Sequence, residues 1–97
     1  MKGGWVYIMT NRPNGTLYTG VTADLAARVT QHREGRGSSF CRQHSLTRLV
    51  YAERHDEIEA AIRREKQIKE WRRAWKIRLI HSINGGWDDL FDHLAYL

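Results

Sequence analysis

The sequence predicts an α+β domain, in which a small three-stranded antiparallel β-sheet is flanked by helices in the order β-β-α-β-α-α, with an extra C-terminal helix. Three observations predict this class: two β-prone runs surround a turn near the N-terminus, a third β-prone run lies mid-chain, and the remainder has helical periodicity. The 97 residues suffice for one modest hydrophobic core, so we expect residues 1–97 to form a single domain.

A β-hairpin is expected at the N-terminus, with strands at 5–10 ("WVYIMT") and 16–21 ("TLYTGV"), because both runs are rich in aromatic and β-branched residues. Asn14-Gly15 between them is typical of a two-residue type I′ turn, in which both central positions need φ > 0. With that turn Tyr7 and Tyr18 share a face of the hairpin, whereas a slip of one residue would separate them.

The first helix is predicted over "ADLAARVTQHRE", residues 23–34, with Thr22 as a plausible N-cap, Asp24 at the positive end of the helix dipole and Gly35 just beyond the end. One face of this helix carries two apolar and two basic positions at i, i+3, i+4 and i+7: Leu25, Arg28, Val29 and His32. We therefore expect the two basic side chains to lie at the edge of the buried stripe.

The second half of the chain continues with a glycine- and serine-rich basic loop, "GRGSSFCRQHS", and a third strand at 47–53. Helices are predicted over 56–69, with Asp56 as N-cap, and over 70–81, before "NGG" at 84–86 interrupts the pattern. A short amphipathic helix is predicted at 87–97, and its apolar stripe is most simply a packing face, with a dimer contact as the alternative: Trp87, Leu90, Phe91 and Leu94.

Glu65 is out of place in the helix over 56–69. It falls on the same face as the apolar stripe formed by Ile58, Ala61, Ile62 and Ile68. A carboxylate there is costly unless it is paired, hydrogen-bonded or bound to a metal. The structural interpretation is an ion pair with an arginine at the rim, and the functional one is a metal ligand or a catalytic acid or base.

The composition favours a polyanionic partner. The formal charge is +5 and the sequence pI about 9.8, and residues 63–78 hold half of all the lysines and arginines. A solvated basic face is the alternative. Trp71 and Trp75 in this region are interpreted as packing residues rather than base-stacking platforms.

The single cysteine, Cys41, excludes an intramolecular disulfide and favours a reducing compartment. The sequence has no apolar run of the ~18 residues that a membrane span needs and no typical secretory signal. We therefore expect a cytoplasmic protein with no membrane partner.

Together these residues resemble the motifs of the GIY-YIG endonuclease family. "WVY" at 5–7 and "YTG" at 18–20 stand where the family has its two triplets, and "ARVTQH" at 27–32 supplies its arginine and a histidine four residues on. "AAIRREKQIK" at 60–69 resembles the helix whose glutamate holds the metal. The resemblance covers residues 4–80 and is greatest to small stand-alone members related to the nuclease domain of UvrC-type repair proteins. Trp5 and Thr19 depart from the triplets without removing a reactive group.

The resemblance implies a metal-dependent endonuclease that hydrolyses phosphodiester bonds in DNA, in repair or recombination. Glu65 and waters would hold one divalent metal, Mg²⁺ or Mn²⁺, and Arg28 would neutralise charge on the phosphoryl oxygens. A tyrosine would help to remove a proton from the attacking water. Tyr7 is favoured for this, with Tyr18 orienting water or phosphate, although the two roles can be exchanged.

The remaining expected site residues support those groups. His32 would hydrogen-bond a tyrosine or assist proton transfer, and Gly20 would be structural, permitting close approach of the phosphate to the strand end. Nucleic acid would contact the "GRGSSF" loop and the basic helix surface through Arg36, Arg63, Lys66 and Lys69.

Three other functions compete with the nuclease interpretation. The first is a non-catalytic nucleic-acid-binding module on the same fold, which would keep the basic surface and not need Glu65. The second is an interaction protein that uses the C-terminal apolar stripe with a protein partner or a second copy. A zinc protein is disfavoured because one cysteine and five scattered histidines lack the usual ligand spacing.

Overall fold

The structure, a computed structural model, describes residues 3–96, and side chains from 3 to 94. It has the predicted α+β class, with three antiparallel strands in the order β2-β1-β3, so that β2 and β3 are the sheet edges. The elements are β1 (Gly4–Thr10), β2 (Leu17–Thr22), α1 (Leu25–Arg33), α2 (Ser39–Gln43), β3 (Arg48–His55), α3 (Ile58–Glu70), α4 (Arg73–Ile83) and a 3₁₀ helix (Leu90–Tyr96).

The sheet separates two layers of core. Because side chains alternate along a strand, Tyr7 and Met9 of β1 point to one face and Val6 and Ile8 to the other. The Tyr7 face packs against α1, α2 and the 3₁₀ helix. The Val6 face, which we call the α3 face, packs against α3 and α4. Residues on the two helical layers can therefore meet only by reaching past an edge strand.

The hairpin turn differs from the predicted type I′ turn. The backbone N–H of Gly15 donates to the carbonyl of Arg12 at 2.9 Å, which makes Pro13 and Asn14 the central residues. Asn14 alone has a positive φ, 57°, as in a type II turn with proline at its first central position. The two-residue turn at Asn14-Gly15 was therefore wrong, because Pro13 favours a turn beginning one residue earlier.

The shared face of the two tyrosines is nevertheless confirmed. Tyr18 pairs with Met9 and Gly20 pairs with Tyr7 across the strands. This register differs from the predicted one by two residues, and a shift of two leaves every side chain on its original face. The loop is longer than expected, and the site geometry is unaffected.

The predicted bounds of α1 were off by two residues at the start and by one at the end. Asp24, not Thr22, is the N-cap, with its carboxylate accepting from the N–H of Ala27 at 3.1 Å. The Thr22 hydroxyl instead accepts from the N–H of Asp24. Gly35 has φ 77° and follows the helix, where its N–H donates to the carbonyl of His32.

Sequence reasoning missed one helix and displaced another. The loop "GRGSSFCRQHS" contains the single-turn helix α2, whose N-cap Ser38 accepts from the N–H of Cys41. α3 begins after Glu57, which makes no side-chain cap bond. The expected N-cap, Asp56, does not cap the helix, and its carboxylate pairs with Arg54 at 3.0 Å.

The C-terminal segment is not the predicted α-helix over 87–97. Trp87 has φ 57° and is buried beside α4, where its indole N–H donates to His81 Nε2 at 2.8 Å. Asp89 accepts from the N–H of Leu49 and pairs with Arg33, which fixes the chain against β3. Residues 90–96 then form a 3₁₀ helix, and Leu97 lies outside the described residues.

The interpretation of the C-terminal stripe as a packing face is confirmed. Leu90, Phe91 and Leu94 pack against the core on the Tyr7 face, and Trp87 joins the core on the α3 face. Within residues 3–96, no helix combines the length and apolarity needed to cross a membrane.

Candidate active site

Three of the predicted site residues form one aromatic cluster on the Tyr7 face. Tyr7 Oη lies 2.8 Å from His32 Nε2. The ring centroids are 6.3 Å apart for the two tyrosines, 5.6 Å for Tyr7 and His32, and 5.4 Å for Tyr18 and His32. Phe40 of α2 stacks on Tyr18 at 6.3 Å. The hairpin and α1 therefore bring together side chains that are 25 residues apart in the chain.

Two glycines make room for this cluster. A Cβ at Gly20 would lie 2.5 Å from Cζ and Oη of Tyr7, and a Cβ at Gly37 would lie 2.6 Å from His32 Nδ1. Gly20 was expected to permit approach of a phosphate; in the structure the group that approaches it is the Tyr7 ring. Any other residue at either glycine would displace a ring of the cluster.

Burial shifts the titration of both hydrogen-bonded partners. His32 is 2% exposed, and burial together with the positive charge of Arg28 lowers its pKa to about 4. Tyr7 is fully buried, and burial raises its pKa well above the ordinary value despite the neighbouring Arg28. At neutral pH the pair is therefore a neutral imidazole and a neutral phenol. His32 Nδ1 has no hydrogen-bond partner among the described side chains.

Arg28 is the cation of this cluster. It is half-buried, and its guanidinium donates to Gln31 Oε1 at 3.0 Å. Its pKa is raised, first by the neighbouring Tyr7 hydroxyl and also by its proximity to Tyr18. The expectation that Arg28 lies at the edge of the buried stripe is confirmed, while His32 lies deeper than expected. Arg28 thus presents a positive charge beside the half-buried phenol of Tyr18 and the fully buried phenol of Tyr7.

Sequence reasoning missed three residues that shape this cluster. Gln31 follows Arg28 by three positions on the helix, a spacing at which side chains meet, so it could have been found. Gly37 and Phe40 lie in the basic loop, and their contacts with His32 and Tyr18 depend on how that loop folds back.

Glu65 is buried on α3, as its position in the sequence predicted, with 9% of its surface exposed. It pairs with Lys69, whose Nζ lies 3.1 Å from Oε2 and whose side chain is 51% exposed. The expected arginine partner was therefore wrong. Ile62, placed with the buried stripe, is exposed. Among residues 3–94, no hydrogen bond or ion pair joins Glu65 to the aromatic cluster.

The direction in which Glu65 lies follows from the helix geometry. Ala61 and Ile68 form the buried centre of α3 and, at roughly 100° per residue, Arg64 and Glu65 lie on opposite sides of that centre. Arg64 reaches Glu53 on the edge strand β3, with Nε 3.0 Å from Oε2. Glu65 therefore lies on the side of α3 nearer the other edge strand, β2, with which α3 is in contact.

Arg64 belongs to a separate polar network on the α3 face. Glu53 accepts hydrogen bonds from Arg64 and Tyr51 and lies 2.6 Å from His55 Nε2. Burial raises the pKa of the Glu53 carboxyl, and the hydrogen bonds from Tyr51, Arg64 and His55 outweigh it, so that the pKa is lowered. This network satisfies its own charges and removes Arg64 from the free basic surface.

The four predicted nucleic-acid contacts lie on two parts of the surface. Arg36 lies in the loop before α2 and pairs with Glu34. Arg63, Lys66 and Lys69 are exposed on α3. Arg73, in the same basic run, donates to the carbonyls of Asn14 and Gly15 at 2.8 and 2.6 Å, which ties α4 to the hairpin turn.

The chain is similar to a known protein family and to individual proteins of known sequence. Residues 3–78 match the family described as the GIY-YIG catalytic domain. A UPF0213 protein of Natronomonas pharaonis is 38% identical over 81 residues, which cover 84% of this chain and 94% of that protein. A UPF0213 protein of Staphylococcus aureus is 38% identical over 80 residues, covering 82% and 96%.

A solved structure also resembles this one. The solution NMR structure of a UPF0213 protein from Bacillus halodurans superposes with a TM-score of 0.56 and 30% identity, covering 90% of this chain and 92% of that one. The family match over residues 3–78 includes both tyrosine triplets, α1 with Arg28, and α3. The chain therefore belongs to the GIY-YIG nuclease family and is related to the small UPF0213 proteins.

Proposed function

We propose that this protein is a divalent-metal-dependent endonuclease that hydrolyses phosphodiester bonds in DNA, in repair or recombination. One arrangement carries the proposal: the aromatic cluster and Arg28 lie on one face of the edge strand β2, and the geometry of α3 directs the buried carboxylate of Glu65 towards the other face of that strand. A phosphodiester placed along that edge would have a cation on one side and a carboxylate on the other. Those are the groups that phosphoryl transfer needs.

The donor set near Glu65 fits a Mg²⁺ or Mn²⁺ ion that keeps most of its waters. Mg²⁺ is commonly held by one or two carboxylates, and no group of three possible ligands occurs among residues 3–94. Glu65 is buried and pairs with Lys69, whose side chain reaches solvent. The hydroxyl of Thr19, which faces α3 from β2, is buried without a partner among the described residues and could hydrogen-bond a bound water.

A cation bound at Glu65 would polarise the scissile phosphate and stabilise the leaving oxygen. Arg28 would bind the phosphoryl oxygens, since a guanidinium donates two parallel hydrogen bonds to a phosphate. Its position beside the cluster, rather than in free solvent, holds the charge in a fixed place.

The exposure of the tyrosines favours exchanging the roles first given to them. Tyr7 is fully buried and hydrogen-bonded to His32, so we place it as a positioning residue that holds the imidazole. Tyr18 is half-buried and reaches the surface beside Arg28, so we place it in contact with the attacking water or the phosphate. Neutral His32 would accept a hydrogen bond from the Tyr7 hydroxyl, because its lowered pKa keeps the imidazole unprotonated at neutral pH.

The test is cleavage of labelled duplex, single-stranded and branched DNA with Mg²⁺, Mn²⁺ or EDTA. Glu65→Gln and Arg28→Ala are compared with Glu59→Gln, an exposed glutamate on the first turn of the same helix. We expect metal-dependent cutting by the wild type and Glu59→Gln, and its loss in the other two variants. DNA binding without cutting on any substrate would favour the non-catalytic binding module. Equal cutting by Glu65→Gln and wild type would refute the metal site.

A further inference from the structure

An apolar groove runs along α4, away from the residues placed in catalysis. It has a volume of about 340 Å³ and is lined by Trp71, Trp75, Arg78, Leu79 and Ser82. We call it the tryptophan groove. Both tryptophans were interpreted as packing residues, and only the first fits that interpretation, since Trp71 packs against the core. Trp75 is 47% exposed and meets Trp71 edge-to-face at 6.1 Å.

The surroundings of the groove are strongly basic. Residues 71–83 include four lysines and arginines and no acidic residue. Arg72 Cζ lies 5.8 Å from the Trp75 ring centre, whereas Arg64, whose Cζ lies 5.1 Å from that of Trp71, is already paired with Glu53. A second copy of this chain would bring like charges together here. The complementary occupant is a polyanion that also carries flat apolar groups.

We propose that the tryptophan groove binds single-stranded nucleic acid, with an unpaired base stacked on Trp75 and its phosphates on the flanking arginines. Nucleobases stack on exposed aromatic rings regardless of sequence, while a basic surface follows the backbone. Paired bases in a duplex do not offer their faces to such a ring. The groove therefore selects unpaired strands.

The groove lies across α3 from the proposed metal ligand. Trp71 contacts Arg64, with Cζ 5.1 Å from the ring centre, and Arg64 and Glu65 lie on opposite sides of the helix. Binding in the groove is therefore separate from the proposed cleavage site.

The test measures binding with a variant that cannot cut. In the Glu65→Gln background, Trp75→Ala is compared with Ile83→Ala, an exposed apolar residue on the same helix that does not line the groove. Fluorescence anisotropy gives the affinity for a labelled oligothymidylate and for a duplex of equal length. We expect Trp75→Ala to weaken single-strand binding about 10-fold and duplex binding less than 2-fold. Ile83→Ala should change neither.

Two further readouts keep the test decisive. Oligothymidylate should quench the intrinsic tryptophan fluorescence of the parent and not that of Trp75→Ala, whose fold is verified by circular dichroism. Equal weakening of single-strand and duplex binding, or none, would overturn the inference. So would displacement of the oligonucleotide by polyglutamate at equal charge concentration, which would indicate an acidic protein partner. If the wild type does not cleave DNA but its single-strand binding still depends on Trp75, the proposed nuclease activity is refuted and the proposed binding in the groove is supported.

Discussion

Buried His32 should make the stability of the protein depend on pH. In an unfolded chain a histidine titrates near ~6.5, whereas burial and Arg28 lower the pKa of His32 to about 4 in the folded protein. Between these values the unfolded state binds more protons than the folded state. The contribution of buried, neutral His32 to the free energy of unfolding is therefore complete above the unfolded pKa and is lost as the pH falls towards 4.

The size of the effect follows from the shift. Each pH unit below the unfolded pKa costs about 1.4 kcal/mol, so that lowering the pH from 7.5 to 5.0 should cost the wild type about 2 kcal/mol in unfolding free energy. The matched variant is His32→Gln, which can hydrogen-bond Tyr7 and does not titrate. Glu53 also loses stabilisation in acid, since its pKa is lowered, and that loss is common to both proteins.

The assay is urea unfolding of the wild type and of His32→Gln at pH 7.5 and pH 5.0. For each protein it gives the loss in unfolding free energy between the two pH values, and the two losses are compared. We expect a loss about 2 kcal/mol larger in the wild type than in His32→Gln. If the variant does not fold, the NMR titration of the His32 ring in the wild type replaces it, and should show a neutral imidazole at pH 5. Equal losses in both proteins, or a protonated ring at pH 5, would refute the burial argument.

Three other outcomes follow from contacts in the site. Gly20→Ala should destabilise the protein by about 1–3 kcal/mol in urea unfolding, because its Cβ would overlap the Tyr7 hydroxyl, and an unchanged midpoint would show that the ring yields freely. Lys69→Met should tighten Mn²⁺ binding in calorimetry, because the ammonium competes for Glu65, and unchanged affinity would place the metal elsewhere. Tyr18→Phe should lower the cleavage rate more than Tyr7→Phe, and the reverse order in single-turnover assays would restore the first assignment.

Sequence periodicity was sufficient for the fold class and for the burial of Glu65. Alternation along β1 and the helical spacing of α3 follow directly from which residues are apolar, so the faces could be predicted. The hairpin shows why the predicted faces remained correct although the predicted turn was wrong. A register change of two residues altered the loop and left Tyr7 and Tyr18 on one face.

Features that depend on tertiary contacts could not be predicted. The C-terminal segment has helical spacing, and its 3₁₀ form results from Trp87 and Asp89 binding partners on α4 and β3. The partner of Glu65 and the depth of His32 depend on how α3 and the loop before α2 pack. Gly37 is an example, because nothing local indicates that its backbone lies against an imidazole.

The central claim is that residues on both faces of edge strand β2 form one site. Addition of Mn²⁺ to isotope-labelled protein tests it most directly, because a paramagnetic ion broadens the NMR signals of nearby residues. We expect broadening around Glu65 on α3 and also of Tyr18 and Arg28, with all of it lost in Glu65→Gln. Broadening confined to α3, with sharp signals from Tyr18 and Arg28, would contradict a single site across the edge.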